Sequence, residues 1–64
     1  MSDPVQMLNL KQVMKITTLS KSTIYALIHE KKFPRQVRLT PGGSVAWVQS
    51  EIHAWIEERM HERD

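Results

Sequence analysis

The sequence predicts a mainly α fold with one small β-hairpin, a three-helix winged helix-turn-helix. Three observations carry that expectation. Two short segments with helical apolar spacing, Leu10 to Thr17 and Ser20 to Lys32, are separated by only about three residues, and each opens on a capping side chain. Two β-prone runs flank Pro41-Gly42-Gly43-Ser44. A third periodic segment follows from Gln49 to Glu62. With 64 residues there is room for one domain. Residues 1–7 are expected to be a loose polar lead and residues 8–64 the folded unit.

The first helix is expected to be capped by Asn9, with Gln12 three residues on completing a capping box. Leu8 and Val13 occupy the hydrophobic staple positions, and Leu10, Val13 and Met14 fall on one face. Thr17-Thr18-Leu19 interrupts the pattern, because adjacent β-branched threonines are poor helix formers. Ser20 then caps a second helix through the amide of Thr23, and Leu19 with Ile24 repeats the staple. Ile24, Leu27 and Ile28 form its apolar stripe, while Lys21, Ser22, Tyr25, His29 and Lys32 fall on the other side. The helix is expected to end near Lys31 or Lys32, because Phe33 precedes Pro34 and that position disfavours helical ψ.

Arg35 to Thr40 and Val45 to Val48 then read as two strands around the Pro-Gly-Gly turn. Val37 and Leu39 alternate with Arg38 and Thr40, which gives one apolar and one polar face. A lone hairpin is unstable, so its apolar face should pack on the helices while its tip projects as a wing. In the third helix Ile52, Trp55, Ile56 and Met60 share a face. Trp47 and Trp55 are expected to be core anchors, with Met7, Met14 and Met60 as gap-fillers.

Net charge is only +2, but it is unevenly spread. Between Leu10 and Thr40 seven cations face the single acid Glu30, whereas elsewhere six acids outnumber Arg59 and Arg63. One face suited to a polyanion and another turned away from it follow from that distribution. The outer side of the second helix carries hydroxyl, cationic and aromatic groups, the chemistry by which a recognition helix meets phosphates and base edges.

Other classes fit poorly. No cysteine is present, so disulfides, thiolate zinc sites and a thiol nucleophile are excluded, and a reducing, cytoplasmic setting is favoured. No apolar run is long enough for a membrane helix, and no secretory signal stands in Met1 to Leu10. His53 and His61 would lie about 12 Å apart along a helix, and His29 is far from both, so no metal site is expected. Glu57 and Glu58 diverge, Gly42-Gly43 is not a phosphate loop, and no serine-histidine-acid set has a supporting turn. Neither an enzyme nor a cofactor is expected.

Four segments taken together, Leu10-Lys11-Gln12-Val13, Leu19-Ser20-Lys21-Ser22-Thr23-Ile24-Tyr25, Phe33-Pro34-Arg35-Gln36-Val37-Arg38-Leu39 and Trp47 to Ile56, resemble the AlpA family of phage and genomic-island regulators. The likeness runs from about Leu8 to Arg63. It implies a winged helix-turn-helix related to MerR-type regulators and phage excisionases, with the Ser-Lys-Ser-Thr-Ile-Tyr stretch opening the recognition helix. Carried over, it points to Lys21, Ser22, Thr23 and Tyr25 on that helix and to Arg35, Arg38, Gly42 and Gly43 on the wing; His29, Lys31 and Lys32 flank them. Two positions depart from the pattern. Thr18 stands where the family often has glycine, and Pro41 to Ser44 lacks the arginine that many relatives carry at the wing tip.

The expected function is sequence-specific binding of double-stranded DNA to regulate mobile-element genes such as an integrase. The alternatives are an excisionase that bends DNA at an attachment site, and an inhibitor that docks on another protein through the acidic third helix. Further copies binding cooperatively, RNA polymerase or an integrase are the expected protein partners. With no long coiled coil following Asp64, a MerR-type dimer is not expected.

Overall fold

The computed structural model describes residues 4–63. In chain order it contains β1 (Met7–Leu8), α1 (Leu10–Thr17), α2 (Lys21–His29), β2 (Val37–Arg38), β3 (Val45–Val48) and α3 (Gln49–His61). The three helices and the hairpin are those read from the sequence; β1 is an addition to them.

The start of α1 follows its capping box. Asn9 Oδ1 accepts from the Gln12 amide at 2.8 Å, and Gln12 Oε1 accepts from the Asn9 amide at 2.8 Å. Two amides without helical partners are thereby satisfied. The helix stops at Thr18, which lies in the left-handed region at φ 62° and ψ 14°. A two-residue step then reaches Ser20, whose hydroxyl accepts from the Thr23 amide at 3.2 Å and donates to the Thr23 hydroxyl at 2.9 Å. Left-handed geometry is costly for a β-branched residue, and glycine is its usual occupant. The turn keeps that geometry with threonine in place.

The second helix is shorter than the sequence suggests. It ends at His29, so Lys31 and Lys32 are not helical. The cause is a Schellman closure: the Lys32 amide donates to Leu27 O at 2.8 Å and the Lys31 amide to Ile28 O at 2.9 Å. Lys31, at φ 62°, is the left-handed residue that this closure requires. The Phe33-Pro34 boundary thus acts a full turn further downstream than the helix end.

The strands form one antiparallel sheet in the order β1-β3-β2. Met7 faces Val48 and Leu8 faces Trp47 on one side of β3; Val37 faces Ala46 and Arg38 faces Val45 on the other. Met7 is therefore paired rather than loose. Two residues are too few to show a period of two, and their partner lies some 40 positions away, so local pattern does not reveal them. The same pairing serves α3. Its N-cap, Val48, has no side-chain bond to offer, but the Gln49 amide donates to Gln6 O at 2.8 Å.

The wing turn is closed by the Gly43 amide donating to Thr40 O at 3.1 Å, with Pro41 and Gly42 between them. Pro41 presets its φ and has no amide to leave unpaired. Gly43, at φ 105°, is the position that needs glycine.

Leu8, Val13, Ile24, Phe33, Trp47 and Ile52 form the buried core. Trp47 is its centre: the largest fully buried side chain, with Tyr25 edge-on to it. Several expectations are corrected at its margin. Trp55 is half-buried rather than central, and Met60, on the last turns of α3, is 53% exposed. Val37 and Leu39 are 40% and 54% exposed. The wing's apolar side is thus not covered by the helices. Pairing with β3, whose Ala46 and Trp47 are buried, attaches the hairpin in its place.

Candidate nucleic-acid interface

The candidate site comprises α2, the connector behind it and the wing. On α2, Ile24 is fully buried, and Leu27 and Ile28 pack beside it on the core. Opposite them, Ser22, Ala26 and His29 are exposed and follow one another at intervals of four and three, so they line one outward strip. Lys21 and Thr23 are exposed in the first turn. The Thr23 hydroxyl is engaged by Ser20, whereas no hydrogen bond within the protein holds the side chain of Lys21 or Ser22 among the described residues.

Tyr25 takes a different place from the one read in the sequence. It is half-buried and packs on the core, its ring 6.3 Å from that of Trp47 at 66°. The apolar face of α2 is wide enough to include it, because residues one position beyond a narrow stripe still overlie the sheet. Tyr25 therefore stands at the rim of the outward strip, with its ring in the core. Ala26 is the residue that sequence reasoning passed over. Its small apolar side chain carries no chemical flag, and only its interval from Ser22 and His29 places it on the strip.

The five candidate cations fall into three groups. Lys21 lies at the start of α2. Lys31, Lys32 and Arg35 are exposed on the connector beyond its end, about 13 Å further on for nine helical residues. Arg38 is exposed on β2, and Gly42 and Gly43 are exposed at the wing tip. Glu30 pairs with Lys32 at 3.4 Å across the surface, a contact worth little in water. The connector itself is anchored at two carbonyls. Trp47 Nε1 donates to Pro34 O at 3.0 Å, and Trp55 Nε1 donates to Lys32 O at 2.7 Å. Phe33 is buried between them, 4.8 Å from the Trp55 ring.

The acidic side of α3 is partly neutralised within itself. Arg59 reaches Glu62 at 2.7 Å and Glu58 at 3.7 Å, and lies 5.1 Å from the centre of the Trp55 ring. No helix of the described residues is long and apolar enough to cross a membrane.

Two helices joined by a short turn, a third helix and a hairpin paired into a small sheet define a winged helix-turn-helix. Residues 6–60 match the family model described as prophage CP4-57 regulatory protein (AlpA), and the chain belongs to that family. It is also similar to the uncharacterized protein ORF88 of Enterobacteria phage P4, at 47% identity over 53 residues. That match covers 83% of this chain and 59% of the phage protein, so the chain spans about three-fifths of the length of this curated relative.

Proposed function

We propose that the chain is a sequence-specific DNA-binding regulator of mobile-element genes. The observation that carries this reading is the division of α2. Its Ile24 side is sealed in the core, its Ser22-Ala26-His29 side is open, and exposed lysines stand beyond both ends of that strip. A strip of this size fits the major groove, where an alanine can meet a thymine methyl and longer polar groups can reach base edges. Lys21 and the open amides of the first turn suit a phosphate at one end, and the connector cations suit phosphates at the other. Membership of a family described as a prophage regulatory protein supports the regulatory half of the reading.

Promoter control of an integrase gene and directional control of excision use this same surface. Promoter control is the proposed role, with excision control as the alternative. It implies action in the bacterial cytoplasm at the nucleoid, with RNA polymerase, an integrase or adjacent copies as protein partners. The partial neutralisation of Glu58 and Glu62 by Arg59 gives less support to an inhibitor docking through α3.

The test is footprinting on DNA flanking the chain's own gene, followed by titration of Ala26→Glu. Ala26 is exposed, so the variant should stay folded. An added carboxylate on the strip should abolish both specific and non-specific binding. A folded Ala26→Glu protein with wild-type affinity would show that α2 does not face DNA.

A further inference from the structure

We infer that the connector Lys31 to Arg35 is a DNA-phosphate clamp, and that Trp55, with Trp47, is a positioning residue for it. This rests on the DNA-binding reading above. Extended segments between two elements normally leave their exposed cations on a pliable backbone. Here two indole N–H groups from two different elements, β3 and α3, hold carbonyls two residues apart, Pro34 O and Lys32 O. At the other end the connector is tied to α2 by the Schellman bonds of Lys31 and Lys32. A five-residue stretch carrying three exposed cations is thus fixed at four points.

The peptide planes add a donor. The Pro34–Arg35 peptide bond is trans, so the amide of Arg35 points opposite to the carbonyl of Pro34. That carbonyl faces the indole of buried Trp47, so the Arg35 amide is turned away from that indole, and the Arg35 side chain is exposed. No backbone carbonyl among the described residues takes it up. An N–H and a guanidinium from one residue, with Lys31 and Lys32 nearby in the chain, form a donor set for a phosphodiester oxygen. Prepositioning matters because cations already held in place need not be ordered on binding.

The role of Trp55 is the separable part. It is half-buried, and its N–H bond to Lys32 O is exposed, so Trp55→Phe can keep the ring against Phe33 while removing the donor. The experiment measures binding of the whole chain to a mixed-sequence duplex across a salt series. The number of neutralised phosphates sets the slope of log affinity against log salt, by about 0.9 for each one. Trp55→Phe should lower the slope by about one to two units. In a background of Lys32→Ala and Arg35→Ala it should produce no further change, since the groups it positions are gone.

A purely structural role lowers affinity through the folded fraction and leaves the slope alone; that result, or an unchanged slope and affinity, overturns the inference. If Trp55→Phe does not fold, amide NMR of the wild type decides: the duplex must shift the Arg35 amide and the Trp55 indole N–H, and resonances that stay in place overturn it. Failure of the folded wild type to bind any duplex would remove the DNA-binding reading itself, and this inference with it.

Discussion

The ring of Tyr25 meets the ring of Trp47 edge-on, with centroids 6.3 Å apart and planes at 66°. This contact joins α2 to β3, and through the Trp47 bond to Pro34 O it joins α2 to the connector as well. A residue that reads from sequence as an outward DNA contact is, in the fold, part of the joint that sets the angle of the helix. Tyr25→Ala should therefore destabilise the protein by about 1–3 kcal/mol through lost aromatic packing. Tyr25→Phe should leave stability within about 0.5 kcal/mol and alter DNA affinity only if the hydroxyl reaches the duplex. Urea denaturation of both variants separates the two roles.

Core truncation should follow depth along α2. Ile24 is fully buried, whereas Ile28 is only partly so. Ile24→Ala should cost about 2–5 kcal/mol, and Ile28→Ala distinctly less. Equal losses in the two unfolding midpoints would contradict the packing order described.

Thr18 holds a left-handed φ of 62° with a branched Cβ. Relief of that strain by Thr18→Gly competes with the greater freedom of glycine in the unfolded chain and with loss of the Thr18 hydroxyl bond to Thr17 O. The strain is the larger effect, so a net gain of about 0.5–1 kcal/mol is expected. A lower melting temperature for the variant would refute it.

Lys31 occupies the left-handed position of the Schellman closure, where glycine is the usual residue. Lys31→Gly should raise stability by about 0.5–1 kcal/mol while lowering the DNA salt slope by about one unit. Opposite signs in thermal melting and in binding are the signature of a residue kept for charge against its backbone preference. A slope that stays at the wild-type value would take Lys31 out of the interface.

The two wing glycines should behave differently. Gly43→Ala should destabilise by about 1 kcal/mol, because φ 105° is poor for any side chain. Gly42 has negative φ, and an added Cβ would meet only Thr40 Oγ1, at 3.8 Å. Gly42→Arg should accordingly fold normally and, with the tip facing the duplex, bind DNA more tightly and with a steeper salt slope. Unchanged binding by the folded variant would place the tip away from DNA.

Most of the helical architecture is legible locally. Asn9 with Gln12, and Ser20 with Thr23, declare both helix starts because capping is a contact between residues three apart. The hairpin is declared by turn chemistry, and the charge asymmetry declares which half of the chain suits a polyanion. Other features depend on residues distant in sequence. Met7 and Leu8 become a strand only because β3 arrives beside them. Tyr25 turns inward because Trp47 offers an aromatic face, and Met60, though correctly spaced, stays exposed because the apolar stripe of α3 outruns the small core it covers. The connector looks like an ordinary basic loop until indoles 13 and 23 residues further on take its carbonyls. Caps, turns and periodicity act over a few residues and can be read in order along the chain. Which face is wide enough to be buried, and which backbone groups find partners, is settled only when separate elements compete for one core.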